Sequence, residues 1–184
     1  MATAFSMAST EYIDRAIAEI SVIDNPLVLE CGAGLSTIKV AELFKQNDCG
    51  KLITLEDSLL WFELMRSDLD SLGLTKFVNL FYTPLHKYIR GVTWYQTDHI
   101  FGMYDASIDA LLVDGPAQWR SKDSNMRCDW FGLIARFLKP DAIVVIDDAN
   151  RDRESIELLV SQNPDQIKFL DFDAKGKGTA VIKL

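Results

Sequence analysis

The sequence predicts a single α/β domain built on a mostly parallel sheet, and three observations support this prediction. Strand-like and helix-like patterns alternate along the chain without an internal repeat or a low-complexity linker. The helical segments supply the crossovers that parallel strands need. The chain has 184 residues, of which 48% are hydrophobic, so one domain can bury a sizeable core. We expect one domain over residues 1–184, with a leading helix at about 9–20 and a core at about 26–184.

Each element is predicted from its own pattern. Short apolar runs predict five strands, at 27–30, 51–56, 77–82, 109–114 and 142–147. Apolar residues at helical spacing predict helices at 36–47, 59–72 and 153–160, after the leading helix. Gly73 ends the second of these, and Pro140 marks the entry to the fifth strand. The ending, IKFLDFDAKGKGTAVIKL, has two strand-like runs around a Lys/Gly loop and predicts a closing antiparallel hairpin.

Composition and charge exclude several classes of partner. The net charge of −8 argues against a nucleic acid or an anionic membrane surface, because both reward clustered Lys and Arg. The three cysteines, Cys31, Cys49 and Cys128, are widely spaced and form no CxxC pair, which predicts reduced thiols. No segment has the pattern of a leader peptide or a membrane span. We therefore expect a cytoplasmic protein with a small-molecule or neutral partner, and a homo-oligomer stays open.

The stretch LECGAGLSTI predicts a ligand-binding turn after the first strand. Gly32 and Gly34 let the backbone turn tightly and let a ligand approach the main chain. Thr37 stands where the usual dinucleotide turn has a third glycine, and Glu30 would repel a pyrophosphate but attract an ammonium group. Glu56 ends the second strand, where a carboxylate can accept both hydroxyls of a ribose. An adenosyl amino acid fits both sites, whereas the alternative is an ordinary strand-to-helix turn.

Five segments in order carry a resemblance to a known family. They are VLECGAGLSTI, ITLEDSLLWFE, TPLHKYIRGVTWY, DALLVDGPAQWR and LKPDAIVVIDDANRDRE, within residues 27 to 154. Together they resemble the small class I S-adenosylmethionine-dependent methyltransferases whose motifs read ExGxGxST, VDGP and DDAxR. The resemblance implies a Rossmann-like three-layer sandwich with a seven-stranded, mostly parallel sheet and an antiparallel last strand. It also implies S-adenosylmethionine as the cofactor.

The resemblance also implies roles for individual residues. Glu30, Gly32, Gly34, Ser36 and Thr37 would surround the methionine end of the cofactor, and Glu56 would bind the ribose. Asp57 stands at a position that contacts adenine or ribose in that pattern, and Thr83, Pro84 and Leu85 would lie near the adenine edge. Asp114 would face the reactive end of the cofactor, and Arg127 and Arg151 match arginines of the pattern. Ser36 also suits a helix cap, as do Asp148 and Asn150 for the last helix.

Three carboxylates predict the chemical centre. Asp114, Asp147 and Asp148 follow two neighbouring strands and should converge, so at least one must be protonated, paired with a cation or bound to a metal. A magnesium or calcium ion on these three acids is one alternative, since hard oxygen ligands select such ions. In the other, Arg120, Arg127 or Arg151 neutralises the acids, and Asp114 or Asp147 acts as a metal-free base.

The predicted reaction is methyl transfer from S-adenosylmethionine, and we expect O-methylation of a small molecule or sugar. No NPPY or DPPY run follows the fourth strand, which disfavours amide or exocyclic amine acceptors. The leading helix and residues 86–104 and 115–127 should recognise the acceptor, with Trp94, Tyr95 and Trp119 as candidate walls and Gln118, Arg120 and Lys122 as further contacts. A nicotinamide-dependent oxidoreductase and a catalytically silent cofactor-binding module are the alternatives.

Overall fold

The computed structural model describes residues 8–88, 91–97, 100, 107–117 and 127–184. Five α-helices lie within these residues: α1 (Thr10–Ser21), α2 (Leu35–Asn47), α3 (Leu59–Ser71), α4 (Trp130–Ile134) and α5 (Ala149–Gln162). A 3₁₀ turn, Ala135–Phe137, follows α4. The strands are β1 (Leu27–Cys31), β2 (Lys51–Glu56), β3 (Val78–Tyr82), β4 (Leu85–Lys87), β5 (Thr93–Tyr95), β6 (Ile108–Val113), β7 (Leu138–Ile146), β8 (Phe169–Asp173) and β9 (Thr179–Lys183).

The main sheet confirms the predicted fold class. Seven strands lie in the order β3-β2-β1-β6-β7-β9-β8. The pairs from β3 to β7 are parallel, whereas β9 runs antiparallel to both β7 and β8. The last strand is therefore the reversed one, and β8 and β9 form the predicted closing hairpin. Because all the parallel strands end at one edge, the acids that follow them are brought to that edge.

Helices cover both faces of the sheet and complete a three-layer sandwich. Alternate strand residues point to opposite faces, so Val28 packs with one buried cluster and Leu29 with the other. The first cluster includes residues of α1, α2 and α3, such as Ile13, Phe44 and Leu69. The second includes residues of α4 and α5, such as Trp130 and Ile156. None of the helices in the described ranges has the length and apolar character that a membrane span needs.

Three local features differ from the sequence prediction. β4 and β5 form a small antiparallel pair that the sequence pattern did not predict. Pro140 lies inside β7 rather than before it, and the pairing shifts between Ile108 with Leu138 and Ala110 with Ile143. Such a bulge accommodates a residue that cannot donate to the ladder. The last helix, α5, begins at Ala149 rather than near residue 153.

The early start of α5 has a long-range cause. The N–H groups of Ala149 and Asn150 donate to the carbonyls of Gly178 and Lys177, each at 3.0 Å. The β8–β9 loop thus satisfies helix N–H groups that would otherwise need a side-chain cap. Asp148 occupies the cap position with a φ of 55° but makes no capping hydrogen bond, and the Asn150 amide donates to loop carbonyls. The prediction that the Asp148 and Asn150 side chains cap α5 was therefore wrong.

Candidate active site

The glycine turn after β1 lies against the loop after β6. Gly32 has a φ of 93°, and its N–H donates to the carbonyl of Leu55 at 2.9 Å. A Cβ at Gly32 would come within 3.0 Å of the backbone nitrogen of Gly115. Glycine is therefore needed at position 32 both for the positive φ and for the close approach. Nothing described lies within 4 Å of a Cβ built on Gly34, so this position leaves space beside the turn.

Glu30 lies beneath the turn, where its carboxylate binds three hydroxyl groups. The side chain is fully buried and accepts hydrogen bonds from Ser36 at 2.6 Å, Thr37 at 2.7 Å and Thr54 at 2.9 Å. Thr37 also accepts from the N–H of Gly34 at 2.9 Å. Glu30, Ser36 and Thr37 therefore form an internal network that supports the turn. Ser36 does not cap α2, which begins after Gly34.

Burial changes the protonation of Glu30. Desolvation raises the pKa of this carboxyl from its ordinary value of 4.5 to about 7, against the opposing effect of the three hydroxyl donors.

Thr54 was not predicted from the sequence because it lies within an apolar strand. It pairs with Glu30 in the register of β1 with β2, so a polar residue inside a buried strand was the available signal.

Glu56 connects the glycine turn to the start of α3. Its carboxylate is nearly buried and accepts from the N–H of Ala33 at 3.0 Å and of Ser58 at 2.7 Å. The indole N–H of Trp61 donates to the carbonyl of Ala33. The half-buried Asp57 follows Glu56 in the chain. Glu56 thus lies at the predicted position, at the tip of β2, with structural partners that the sequence did not reveal.

The segment after β3 lies beside Glu56. Thr83 is buried, and its N–H donates to the carbonyl of Glu56 at 2.8 Å. Its hydroxyl has no hydrogen-bond partner among the residues that the structure describes. Pro84 is exposed and Leu85 is half-buried. These residues follow the end of β3, beside the tip of β2, and their predicted contact with adenine stays a prediction.

Two of the three predicted acids pair with Arg127 through their side chains, and the third, Asp147, contacts it through its backbone carbonyl. The guanidinium is buried, and its Nη2 lies 3.1 Å from both Asp114 Oδ1 and Asp148 Oδ2. Its Nη1 donates to the backbone carbonyl of Asp147 at 2.9 Å. Asp148 also pairs with Arg151 at 3.0 Å. Of the arginines that the sequence offered as neutralising partners, Arg127 and Arg151 have this role, and Arg120 lies outside the described residues.

Asp147 and Asp114 differ in their surroundings. The Asp147 side chain is fully buried, and its Oδ1 accepts a hydrogen bond from the hydroxyl of Ser9 at 3.2 Å. Desolvation raises the pKa of Asp114 to about 7, with Asp147 and Asp148 adding to the increase and Arg127 opposing it. A carboxyl group that titrates near neutrality is suited to exchange a proton with a substrate.

The acid cluster does not fit a divalent ion. The Arg127 guanidinium already lies between Asp114 and Asp148, where a metal ion would have to bind. Within the described ranges, no group of three or more His, Cys, Asp or Glu side chains has the arrangement of a metal site. The cation in this cluster is therefore the Arg127 guanidinium, a side chain of the protein itself.

The predicted acceptor walls have different outcomes. Trp94 is fully buried in the core and does not line a cleft. Tyr95 is also fully buried, and its hydroxyl lies so close to Gly115 that a Cβ at position 115 would clash with it. Trp119, together with Gln118, Arg120 and Lys122, lies outside the described residues, so these predictions stay untested. The leading helix was expected near the acceptor, but Ser9 and Tyr12 were not singled out, because only tertiary contacts show which residues of α1 face this edge.

We predict that Glu30→Gln changes how stability depends on pH. Above pH 4.5 the unfolded chain releases the Glu30 proton, whereas the native protein retains it until about pH 7. The native state then binds more protons, so the contribution of Glu30 to stability falls as pH rises through this window. The free energy of unfolding of the wild type, minus that of the variant, should decrease from pH 4.5 to 7 and then stay constant. Urea titrations at several pH values measure it.

The matched control for this prediction is Glu42→Gln. Glu42 lies in α2, and its side chain is 39% exposed. Its substitution should leave the pH profile of stability unchanged. A wild-type-minus-Glu30→Gln difference that does not vary with pH would contradict the raised pKa of Glu30.

Comparisons with known proteins agree with this geometry. Residues 29–149 match the model of a family described as a methyltransferase domain. A candidate caffeoyl-CoA O-methyltransferase from Staphylococcus aureus superposes with a TM-score of 0.67 and 15% identity, over 97% of this chain and 85% of that chain. A methyltransferase from Geobacter sulfurreducens gives 0.68 and 17%, over 96% and 79%. A methyltransferase from Podospora anserina, solved with S-adenosylhomocysteine, gives 0.66 and 13%, over 96% and 79%.

No curated protein matches the sequence of the chain significantly. The similarity to solved structures therefore establishes the fold, and the family model, which spans more than half of the chain, establishes the family. The chain belongs to the family of methyltransferase domains, and its fold is that of a class I S-adenosylmethionine-dependent methyltransferase.

Proposed function

We propose that this methyltransferase transfers a methyl group from S-adenosylmethionine to a hydroxyl oxygen of a small molecule, with Asp114 as the base. The observation that carries this proposal is the Asp114 carboxylate, held by Arg127 at 3.1 Å at the carboxyl end of β6. The name of the Staphylococcus aureus structure, a candidate caffeoyl-CoA O-methyltransferase, favours oxygen as the acceptor atom.

The cofactor-binding residues of the proposal are those at the tips of β1, β2 and β3. Gly32, Gly34, Glu56 and Asp57, with Thr83, Pro84, Leu85 and Asp114, would contact the cofactor. Each oxygen of a carboxylate has two lone pairs, so Glu56 can hold its two backbone N–H groups and still accept from ribose hydroxyls. Glu30, Ser36 and Thr37 would act indirectly, by supporting the turn from below.

In the proposed mechanism, the protein positions the acceptor and removes its proton. Bound S-adenosylmethionine supplies a methyl group on a positively charged sulfur, which is transferred by in-line displacement. Asp114 accepts the proton of the acceptor hydroxyl as the new O–C bond forms. Arg127 holds the Asp114 carboxylate in place and, by opposing the effect of burial, keeps its pKa near neutrality.

The pKa of Asp114 favours a phenolic acceptor over a sugar hydroxyl. A phenol titrates at about 10, roughly three units above the pKa of about 7 of Asp114. An aliphatic hydroxyl resembles water, which titrates at about 16. At about 1.4 kcal/mol per unit, full proton transfer to Asp114 before the O–C bond forms would cost on the order of 4 kcal/mol from a phenol and 12 kcal/mol from a sugar. Transfer during bond formation costs less for both acceptors, but their order stays the same. We therefore expect phenols to react, and sugars are assayed as the comparison.

The site's geometry also supports metal-free chemistry. Arg127 supplies the positive charge among Asp114, Asp147 and Asp148 that magnesium or calcium would otherwise supply.

The acidic composition supports a small-molecule acceptor rather than a nucleic acid. The cytoplasmic location and the absence of a membrane partner remain part of the proposal. A nicotinamide-dependent oxidoreductase is disfavoured by the family match. Only product detection separates an active enzyme from a silent binding module.

We predict that Glu56→Ala weakens both cofactor binding and folding. Losing hydrogen bonds to a carboxylate should cost about 1.5–3 kcal/mol of binding, or about 10- to 100-fold in affinity for S-adenosylhomocysteine. Because the N–H groups of Ala33 and Ser58 would lose their acceptor, the free energy of unfolding should also fall, by about 1–3 kcal/mol. Calorimetric titration and urea unfolding measure the two effects. Glu63→Ala, on the exposed side of α3, is the control, and unchanged affinity in Glu56→Ala would remove Glu56 from the site.

We predict that turnover follows the ionisation of Asp114. With a panel of phenolic acceptors and release of S-adenosylhomocysteine as the readout, wild-type kcat/KM should rise with pH and level off above about 7. Asp114→Asn should lower it by about 10²- to 10⁴-fold. Arg127→Met removes the cation that lowers the Asp114 pKa, so the midpoint of the pH profile of kcat/KM should move to higher pH in this variant. The exposed Asp165→Asn is the control. An Asp114→Asn enzyme with wild-type turnover would exclude Asp114 as the base.

We also predict full activity in a chelator. Wild-type turnover should be the same in EDTA as in magnesium, calcium or manganese, because Arg127 neutralises the acid cluster. The same acceptor panel and readout serve for this measurement. Loss of turnover in EDTA, with rescue by one of the three ions, would overturn the metal-free assignment.

A further inference from the structure

The start of α1 is attached to the carboxyl end of β7. Ser9 caps the helix, accepting from the N–H of Tyr12 at 3.2 Å, and the same hydroxyl donates to Asp147 Oδ1 at 3.2 Å. This segment precedes residues 29–149, which match the family model. A helix outside the matched region therefore contacts an acid of the candidate site.

The first turn of α1 brings a tyrosine hydroxyl into the same interior. Tyr12 is fully buried, in a cluster that includes Ala33 of the glycine turn. Its hydroxyl has no hydrogen-bond partner in the part of the chain that the structure describes. Leaving a buried hydroxyl unpaired is unfavourable, and folded proteins retain few such groups. A partner supplied by a bound ligand would explain why a tyrosine, rather than a phenylalanine, is buried here.

A second polar atom without a partner belongs to Asp147. Its Oδ1 is bound by Ser9, but its Oδ2 is buried and has no partner within the described ranges. Both unpaired atoms can accept a hydrogen bond, and the phenol can also donate one. The surroundings of Tyr12 include the carboxylates of Asp114, Glu30 and Asp147, which, after burial, raise the pKa of its hydroxyl well above the ordinary value. Arg127 acts on the phenol in the opposite direction, but the three carboxylates outweigh this one guanidinium, so the phenol stays neutral in a net acidic region that attracts a cation.

We propose that Tyr12 and Asp147 bind the ammonium group of the cofactor's amino-acid chain. The phenol oxygen and Asp147 Oδ2 each accept one of its N–H groups, while Ser9 holds the other carboxylate oxygen in place. This inference rests on the proposed cofactor, S-adenosylmethionine. It assigns Asp147 to cofactor binding rather than to proton transfer, and it makes α1 part of the cofactor site.

Tyr12→Phe tests the proposal by calorimetric titration with three ligands. The affinity for S-adenosylhomocysteine should fall about 10- to 150-fold, the effect of one hydrogen bond to a charged group. Methylthioadenosine, which lacks the amino-acid chain, should bind the variant and the wild type equally. The desamino analogue of S-adenosylhomocysteine should also bind both equally. Because the hydroxyl is unpaired without ligand, thermal unfolding of the free variant should not occur at a lower temperature than that of the wild type.

The control is Ser161→Ala, which removes an exposed hydroxyl near the C-terminal end of α5, away from the candidate site. Its affinities for all three ligands should equal those of the wild type. Unchanged binding of S-adenosylhomocysteine by Tyr12→Phe, or equal weakening of all three ligands, would overturn the role of Tyr12. If the wild type itself binds none of them, the proposed cofactor fails together with this inference.

Discussion

The buried carboxylate of Glu30 is the interaction on which the site depends. Burying a charged group is costly, and three hydroxyl donors from α2 and β2 offset part of this cost. The same hydrogen bonds join the end of β1, the first turn of α2 and the middle of β2. The glycine turn is thereby held between rigid elements. Its backbone is ordered before a ligand arrives, which reduces the entropy that binding must overcome.

A second buried network, around Arg127, balances the charges at the ends of β6 and β7. One guanidinium contacts two carboxylates and one carbonyl, while Asp147 is held separately by Ser9. This arrangement gives the neighbouring acids different hydrogen-bond and ion-pair partners, so their roles can differ. Sites that perform proton transfer commonly separate the roles of adjacent carboxyl groups in this way.

The sequence predicted the sheet and the positions of the acids because both depend on local patterns. Apolar runs located the strands, and the rule that parallel strands end at one edge brought Glu30, Glu56 and Asp114 together. What it could not predict depends on contacts between distant segments. Thr54 is identified only by the register of β1 with β2, and Ser9 only by the docking of α1. Glu30 was expected beside the ligand, but its burial could be seen only once the hydroxyl groups around it were located.

The reversed strand β9 also has a consequence for how the protein is made. β9 lies between β7 and β8, and the carbonyls of Lys177 and Gly178, just before it, bind the first turn of α5. On the ribosome, β1, β2 and β6 can emerge and begin to pair while residues 174–183 are still being synthesised. The edge of β7 is unpaired during that interval, and exposed strand edges promote association with other chains. The acid cluster is therefore completed late in synthesis, and a nascent chain without β9 would have the glycine turn but lack a finished site.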